Sequence, residues 1–189
     1  MIPAPTSIDV LRANQASEAG RFAVLGGMGL GLWCLNLANG IHFTGLVLTI
    51  IGTLALTVLA LLQYRKYQGA LKIDANSPQG QRTKRVFTIV NTTQWGLIAV
   101  IYILLPRINL ATWVFPSAIF VIGLFCFPLT HILSTRPRYF TGSALILFAV
   151  VYPQLVPVVA FDAIGCLGTG IIMWASAAWA LMLNRPPRV

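Results

Sequence analysis

The chain has 189 residues, 57% of them hydrophobic and only 9% charged, with a mean hydropathy of +0.80. A soluble domain carries about a quarter charged residues, so this composition excludes a water-soluble globule. The formal net charge of +9 comes without any groove-reading module, which argues against a nucleic-acid partner.

Residues 1–19 lead into the first apolar run. Thr6 or Ser7 is placed to cap a short helix with Asp9 in its first turn, where a carboxylate suits the positive helix end. Ile8, Val10 and Leu11 give that helix an apolar side for the inner leaflet; the alternative is a flexible tail. The run after it is expected to remain as an anchor, because it lacks a small-x-small cleavage site.

Six uncharged or nearly uncharged runs follow, at 20–39, 41–62, 86–105, 110–133, 139–160 and 163–184. About 20 residues at 1.5 Å rise cross a hydrocarbon core about 30 Å thick. No strand-like alternation is present, which argues against a β-barrel. The expected fold is therefore all-α: a compact bundle of six transmembrane helices forming one domain over 20–184, with a short tail at 185–189. The one substantial connection, "YRKYQGALKIDANSPQGQRTKR" at 64–85, reads as a basic loop around the turn-forming "ANSPQG", with "YRKYQ" extending the second helix out of the membrane. The other connections span only two to six residues, so consecutive helices should be antiparallel neighbours.

Charge orients the bundle. With residue 1 inside, Arg107 is the only member of the 13 Lys and Arg residues to fall outside. That positive-inside bias places both termini in the cytoplasm and adds attraction to anionic lipid headgroups. Cys34, Cys126 and Cys166 all lie within spans and show no metal-ligand spacing, so they read as small hydrophobes.

The polar residues inside the spans form two sets. On the inner side, "NTTQWG" at 91–96 interrupts an apolar run. Thr92 and Thr93 are able to bond back to the carbonyls of Thr88 and Ile89. The amides of Asn91 and Gln94 lack that recourse and should face into the bundle, since an unmet amide is costly in hydrocarbon. Pro128 should kink the fourth span and tip Thr130 and His131 towards them. On the outer side lie Asn36, Asn39, His42, Gln154 and Asp162, with Pro153 and Pro157 bending the fifth span and Arg107 available as a partner for Asp162. The candidate ligand-contacting residues are thus Asn91, Gln94, His131, Asn36, Asn39, Gln154 and Asp162. Either set is equally explained as interhelical hydrogen-bond glue.

No catalytic, cofactor-binding or metal-ligating residues are assigned. His42 and His131 stand about a bilayer apart and cannot share one haem or metal, and no HExxH, Ser/His/Asp set or paired intramembrane carboxylates occur. Small residues mark close helix packing: Gly27-xxx-Gly31 in the first span, Gly165-xxx-Thr169 and Cys166-xxx-Gly170 in the sixth. These faces join the two spans to each other, or to a second copy or a partner membrane protein.

"GLFCFPL" at 123–129, with "NTTQWG" before it and "YFTGSALIL" after it, resembles small six-span bacterial membrane proteins of an uncharacterised family. Their Gly-x-His-Phe-x-Pro-Leu motif matches at Gly123, Pro128 and Leu129, while Phe125 and Cys126 stand where His and Phe would be. The resemblance implies a bacterial inner-membrane protein and carries no activity. Two functional expectations follow: a small-solute transporter or channel lined by the two polar sets, or a non-catalytic membrane subunit or scaffold that binds partner membrane proteins or lipid.

Overall fold

A computed structural model describes residues 7–36, 43–75, 78–133, 136–155 and 162–183. These residues form six α-helices and one 3-10 turn: α1 (Ser7–Asn36), α2 (Phe43–Ala75), α3 (Pro78–Arg107), the turn at Ala111–Trp113, α4 (Val114–Leu133), α5 (Arg136–Leu155) and α6 (Ala163–Leu183). Four segments are long and apolar enough to cross a membrane: Phe43–Leu71, Gly80–Arg107, Ala111–Pro128 and Ala163–Leu183. The described parts of α1 and α5 are less apolar, α1 through its glycines and α5 through Arg136, Arg138 and Gln154.

Successive helices run antiparallel. Gly20 meets Ala60 across α1 and α2, Gly123 meets Gly142 across α4 and α5, and Phe148 meets Gly168 across α5 and α6. The main core joins α1, α4, α5 and α6 through Phe22, Ala23, Ile119, Leu145, Ala149, Tyr152, Met173 and Ala177. A smaller cluster of Ala19, Ala60, Ala180 and Leu181 ties α2 to α1 and α6. Helix α3 contributes nothing to either cluster, and none of its described side chains is buried.

The glycines of α1 and α6 meet each other. A Cβ on Gly170 would lie 2.9 Å from the Leu30 backbone nitrogen and 3.0 Å from the Gly26 carbonyl oxygen, and a Cβ on Gly29 would lie 2.9 Å from the Cys166 carbonyl oxygen. The backbones approach so closely that no side chain fits between them. Trp174 wedges between α1 and α2 beside Gly26 and Gly52, and its indole N–H donates to the Ala23 carbonyl at 3.2 Å. The Gly27 side of α1 instead faces Thr53 of α2, and Gly31 touches nothing. Gly26, Gly27 and Gly29 of the first span and Gly170 of the sixth are thus occupied within the chain, while a Cβ on Gly31 would meet open space.

Two boundaries differ from the sequence reading. The first helix runs unbroken from Ser7 to Asn36, and Ala13, Gln15, Ala16, Glu18 and Ala19 are buried. Residues 7–19 form neither a tail nor a separate surface helix: alanines three apart let the helix continue against its neighbours. The expected 64–85 loop is also helical, α2 reaching Ala75 and α3 starting at Pro78. Its basic side chains are good helix formers, the exposed Gly69 costs only ~1 kcal/mol, and Pro78 suits the first helical position. At 1.5 Å per residue, α2 is about 50 Å long and α1 and α3 about 45 Å each, well beyond a hydrocarbon core of about 30 Å.

At the opposite end the "PRIN" turn closes α3. Asn109 adopts φ 60°, the Leu110 N–H donates to the Leu105 carbonyl at 2.9 Å and the Asn109 N–H to the Pro106 carbonyl at 3.3 Å. This is a Schellman closure with asparagine in the left-handed position.

Candidate functional site

Among the described residues, a buried ion pair joins the N-terminal parts of α1 and α5. Nε of Arg138 is 3.1 Å from Oε2 of Glu18, and both side chains are 5% exposed. One turn further along α5, the Thr141 hydroxyl donates to Ser176 Oγ at 2.7 Å, and Ser176 bonds the Ile172 carbonyl at 2.8 Å. The neighbouring Thr130 hydroxyl, 2% exposed, donates to the Cys126 carbonyl at 2.8 Å. Burial pulls the Arg138 guanidinium down from its ordinary value, and the facing Glu18 carboxylate pushes it back up. A guanidinium in direct contact with a carboxylate keeps its charge. The arrangement is a buried ionic clasp between α1 and α5, continued into α6 by hydroxyls. It offers neither a nucleophile–base pair nor an open position for a substrate, and among the described residues no group of three His, Cys, Asp or Glu converges as metal ligands would.

Neither Glu18 nor Arg138 was singled out in the sequence. Glu18 stood in the leading segment and Arg138 counted only towards orientation. The available signal was that Glu18 is one of four acids and shares a helical face with Gln15 and, on either side of it, Ala16 and Ala19.

The expected inner set does not come together. Asn91, Thr92 and Thr93 are exposed and Gln94 is half-buried. Phe87, Val90, Gln94, Ile98, Ile101 and Leu105 form the partly covered side of α3, so the helix turns Asn91 away from the bundle. The back-bond on this helix belongs to Thr88, whose hydroxyl donates to the Lys84 carbonyl at 3.0 Å, and not to Thr92 or Thr93. Pro128 sits within α4, which continues to Leu133. Beyond it Thr130 turns into the core instead of towards Asn91. His131 lies in α4, with its side chain outside the described residues.

The outer set is likewise dispersed. Asp162 is 4% exposed and caps α6, its Oδ1 accepting the N–H groups of Ile164 at 3.1 Å and Gly165 at 3.0 Å. Its other oxygen and the Tyr152 hydroxyl converge beside Gly165. The cap accounts for Asp162 and replaces the expected pairing with Arg107, which is exposed. Gln154 lines a groove of about 380 Å³ with Trp113, Ser117 and Phe120, open between α3, α4 and α5. Asn36 closes α1 with its side chain outside the described residues; Asn39, His42 and Pro157 lie outside them altogether. Pro153 is accommodated within α5, which continues to Leu155.

Helix α3 carries an outward stripe instead. Thr88, Thr92, Gly96 and Ala99, at spacings of four, four and three, are all exposed and share one face. Nothing lies within 4 Å of a Cβ placed on Gly96. Asn91 and the half-exposed Trp95 border this stripe. No family model matches the chain, and neither a curated protein nor a solved structure matches it.

Proposed function

We propose that this chain is a non-catalytic scaffold of the bacterial inner membrane, with six spans and both termini in the cytoplasm, and that it binds a partner transmembrane helix along the outward face of α3. The apolar helices support membrane residence. Segregation of Arg12, Arg21, Arg65, Lys66, Arg82, Lys84, Arg85 and Arg138 to one end, with Arg107 at the other, supports the orientation. The bacterial compartment follows from the family resemblance alone.

The observation that carries the reading is the exposed amide of Asn91 beside Gly96. Asn91 stands about 9 Å along the helix from Arg85, at a depth where hydrocarbon offers an amide no partner. A second helix packed on Thr92, Gly96 and Ala99 would approach closely enough to supply one. A second copy of the chain meets the requirement most simply, because an amide is both donor and acceptor and pairs with itself across a two-fold axis.

Cross-linking tests it. The native cysteines are buried, so in a Thr92→Cys variant the new thiol is the reactive one. A short bis-maleimide applied to native membranes should give a covalent dimer, lost when Gly96→Leu is added. A Thr92→Cys chain that labels with maleimide yet forms neither a dimer nor a larger adduct refutes the association.

The transporter reading finds less support. Asn91 is exposed on α3, and Gln154 lines a groove that opens between α3, α4 and α5.

A further inference from the structure

A second lateral groove, of about 530 Å³, runs between α1 and α2 at the basic end. Its floor is made of small residues, Ala16, Gly20 and Ala60, and its walls of Val24, Leu25 and Leu61. The floor is close-packed: a Cβ on Gly20 would touch the Ala60 Cβ at 3.5 Å. From Tyr64 at the mouth to Thr57 at the deep end the groove follows α2 for about 10 Å. Leu25, Val24 and Leu61 are each about half exposed along it.

The mouth is cationic. Arg21 lines it and is held in place by Phe87 of α3, the guanidinium carbon lying 4.7 Å from the ring centroid. Stacking uses the flat face of the guanidinium and leaves its N–H edges available. Arg65 and Lys66 follow Tyr64 on the next turn of α2, both exposed, and the guanidinium of Arg12 and ammonium of Lys66 both lie over the Tyr67 ring, at 5.7 Å and 5.5 Å. Of the two acids on α1, Glu18 is buried against Arg138 and Asp9 stands in the first turn, ahead of Arg12.

We infer that this groove binds an anionic phospholipid, one acyl chain lying along Val24, Leu25 and Leu61 and the phosphate held by the N–H edge of Arg21 beside Tyr64. An apolar slot opening sideways under a fixed guanidinium matches both halves of that molecule. A basic pocket between helices at the cytoplasmic face is the usual setting for such headgroups, and a guanidinium bonds phosphate oxygens in pairs. A soluble anion would leave the apolar slot unexplained, and a zwitterionic lipid would add its own cation beside Arg21, Arg65 and Lys66. The inference rests on the membrane placement proposed above but not on association through α3.

The test uses the full chain reconstituted in vesicles of mixed phosphatidylglycerol and phosphatidylcholine, re-extracted in mild detergent and weighed by native mass spectrometry. The wild type should retain one phosphatidylglycerol per chain. Arg21→Gln should lower that retention about tenfold, as expected for losing a charge-assisted pair, without raising phosphatidylcholine. Arg21→Lys should retain an intermediate amount, and it also serves if the glutamine variant fails to fold. Leu25→Trp, at a half-exposed wall position, should block both lipids by filling the slot. Arg82→Gln, an exposed cation on α3, should change nothing. Overturning results are a wild type that retains no lipid, equal loss in the Arg82 and Arg21 variants, or undiminished retention in Leu25→Trp. Cross-linking of two chains through Leu25→Cys would give the groove to a second copy instead. The Thr92→Cys cross-link reports separately on the α3 face, so failure of either proposal is distinguishable from failure of the other.

Discussion

Glu18→Gln is the most informative single change in the bundle. Two unit charges 3.1 Å apart attract by about 5 kcal/mol at an effective dielectric constant of about 20. Removing both from water costs several kcal/mol per ion, so the intact pair contributes little net stability. Neutralising one partner is a different matter, because the other charge stays buried. Arg138 is 4% exposed and its Nη1 has no hydrogen-bond partner among the described residues, so the variant should lose about 3–5 kcal/mol. For a chain of this size that corresponds to a midpoint about 10 °C lower, read by circular dichroism during heating in detergent. The double variant Glu18→Leu, Arg138→Met removes both charges and should recover to within about 2 kcal/mol of the wild type. A single variant as stable as the wild type, or a double variant worse than Glu18→Gln, would refute a buried, mutually dependent pair.

Other changes test separate features. Gly170→Leu should destabilise by at least ~1–3 kcal/mol in the same melt, since even a Cβ there meets backbone of α1 at 2.9–3.0 Å; Gly96→Leu, with open space around it, should leave the melt of the separated chain unchanged. Asp162→Ala should cost ~1 kcal/mol through the lost cap, with faster hydrogen exchange at Ile164 and Gly165, while Asp162→Asn should keep most of both. Asn91→Leu should leave the chain folded and alter its association, whereas a folded variant that still dimerises fully would assign this amide no role at the interface. Reporter fusions after residue 107 and at either terminus should place Arg107 alone on the outer side; a terminus found outside would overturn the orientation.

Helices were the legible part of this sequence, because a span needs only an apolar run of sufficient length. Each of the six helices overlaps one of those runs, and four of them carry a segment long and apolar enough to cross a membrane; the small residues of the first and sixth left open whether they meet each other or a second copy. What composition could not convey was which way each helix turns. Asn91 carries the same amide whether it faces the core or lipid, and the exposed side of α3 is itself apolar at Ile89, Trp95, Val100, Ile103 and Leu104. The extent of α1 was hidden for a related reason: Ala13, Ala16 and Ala19 add little hydropathy, yet their small size is what lets that segment be buried. Glu18 and Arg138 lie 120 residues apart, and neither flanking sequence predicts the other. Asp162 was expected to be functional because acids are rare here; its position at the start of α6, where two N–H groups need an acceptor, was already visible as an asparagine-or-aspartate cap signal.

The pairing of α1 with α6 also has a consequence for synthesis. The Gly26–Gly29 surface and the slot that receives Trp174 are complete only when α6 has left the ribosome, roughly 140 residues after the segment it covers. Until then α1 and α2 present a bare glycine seam and an unfilled notch to the bilayer. Contacts at such long sequence separation form late, and chains paused or truncated before α6 would expose that seam to insertion factors and membrane proteases. The sixth helix is thus the keystone of the first contact surface, and that surface cannot pass inspection before α6 arrives.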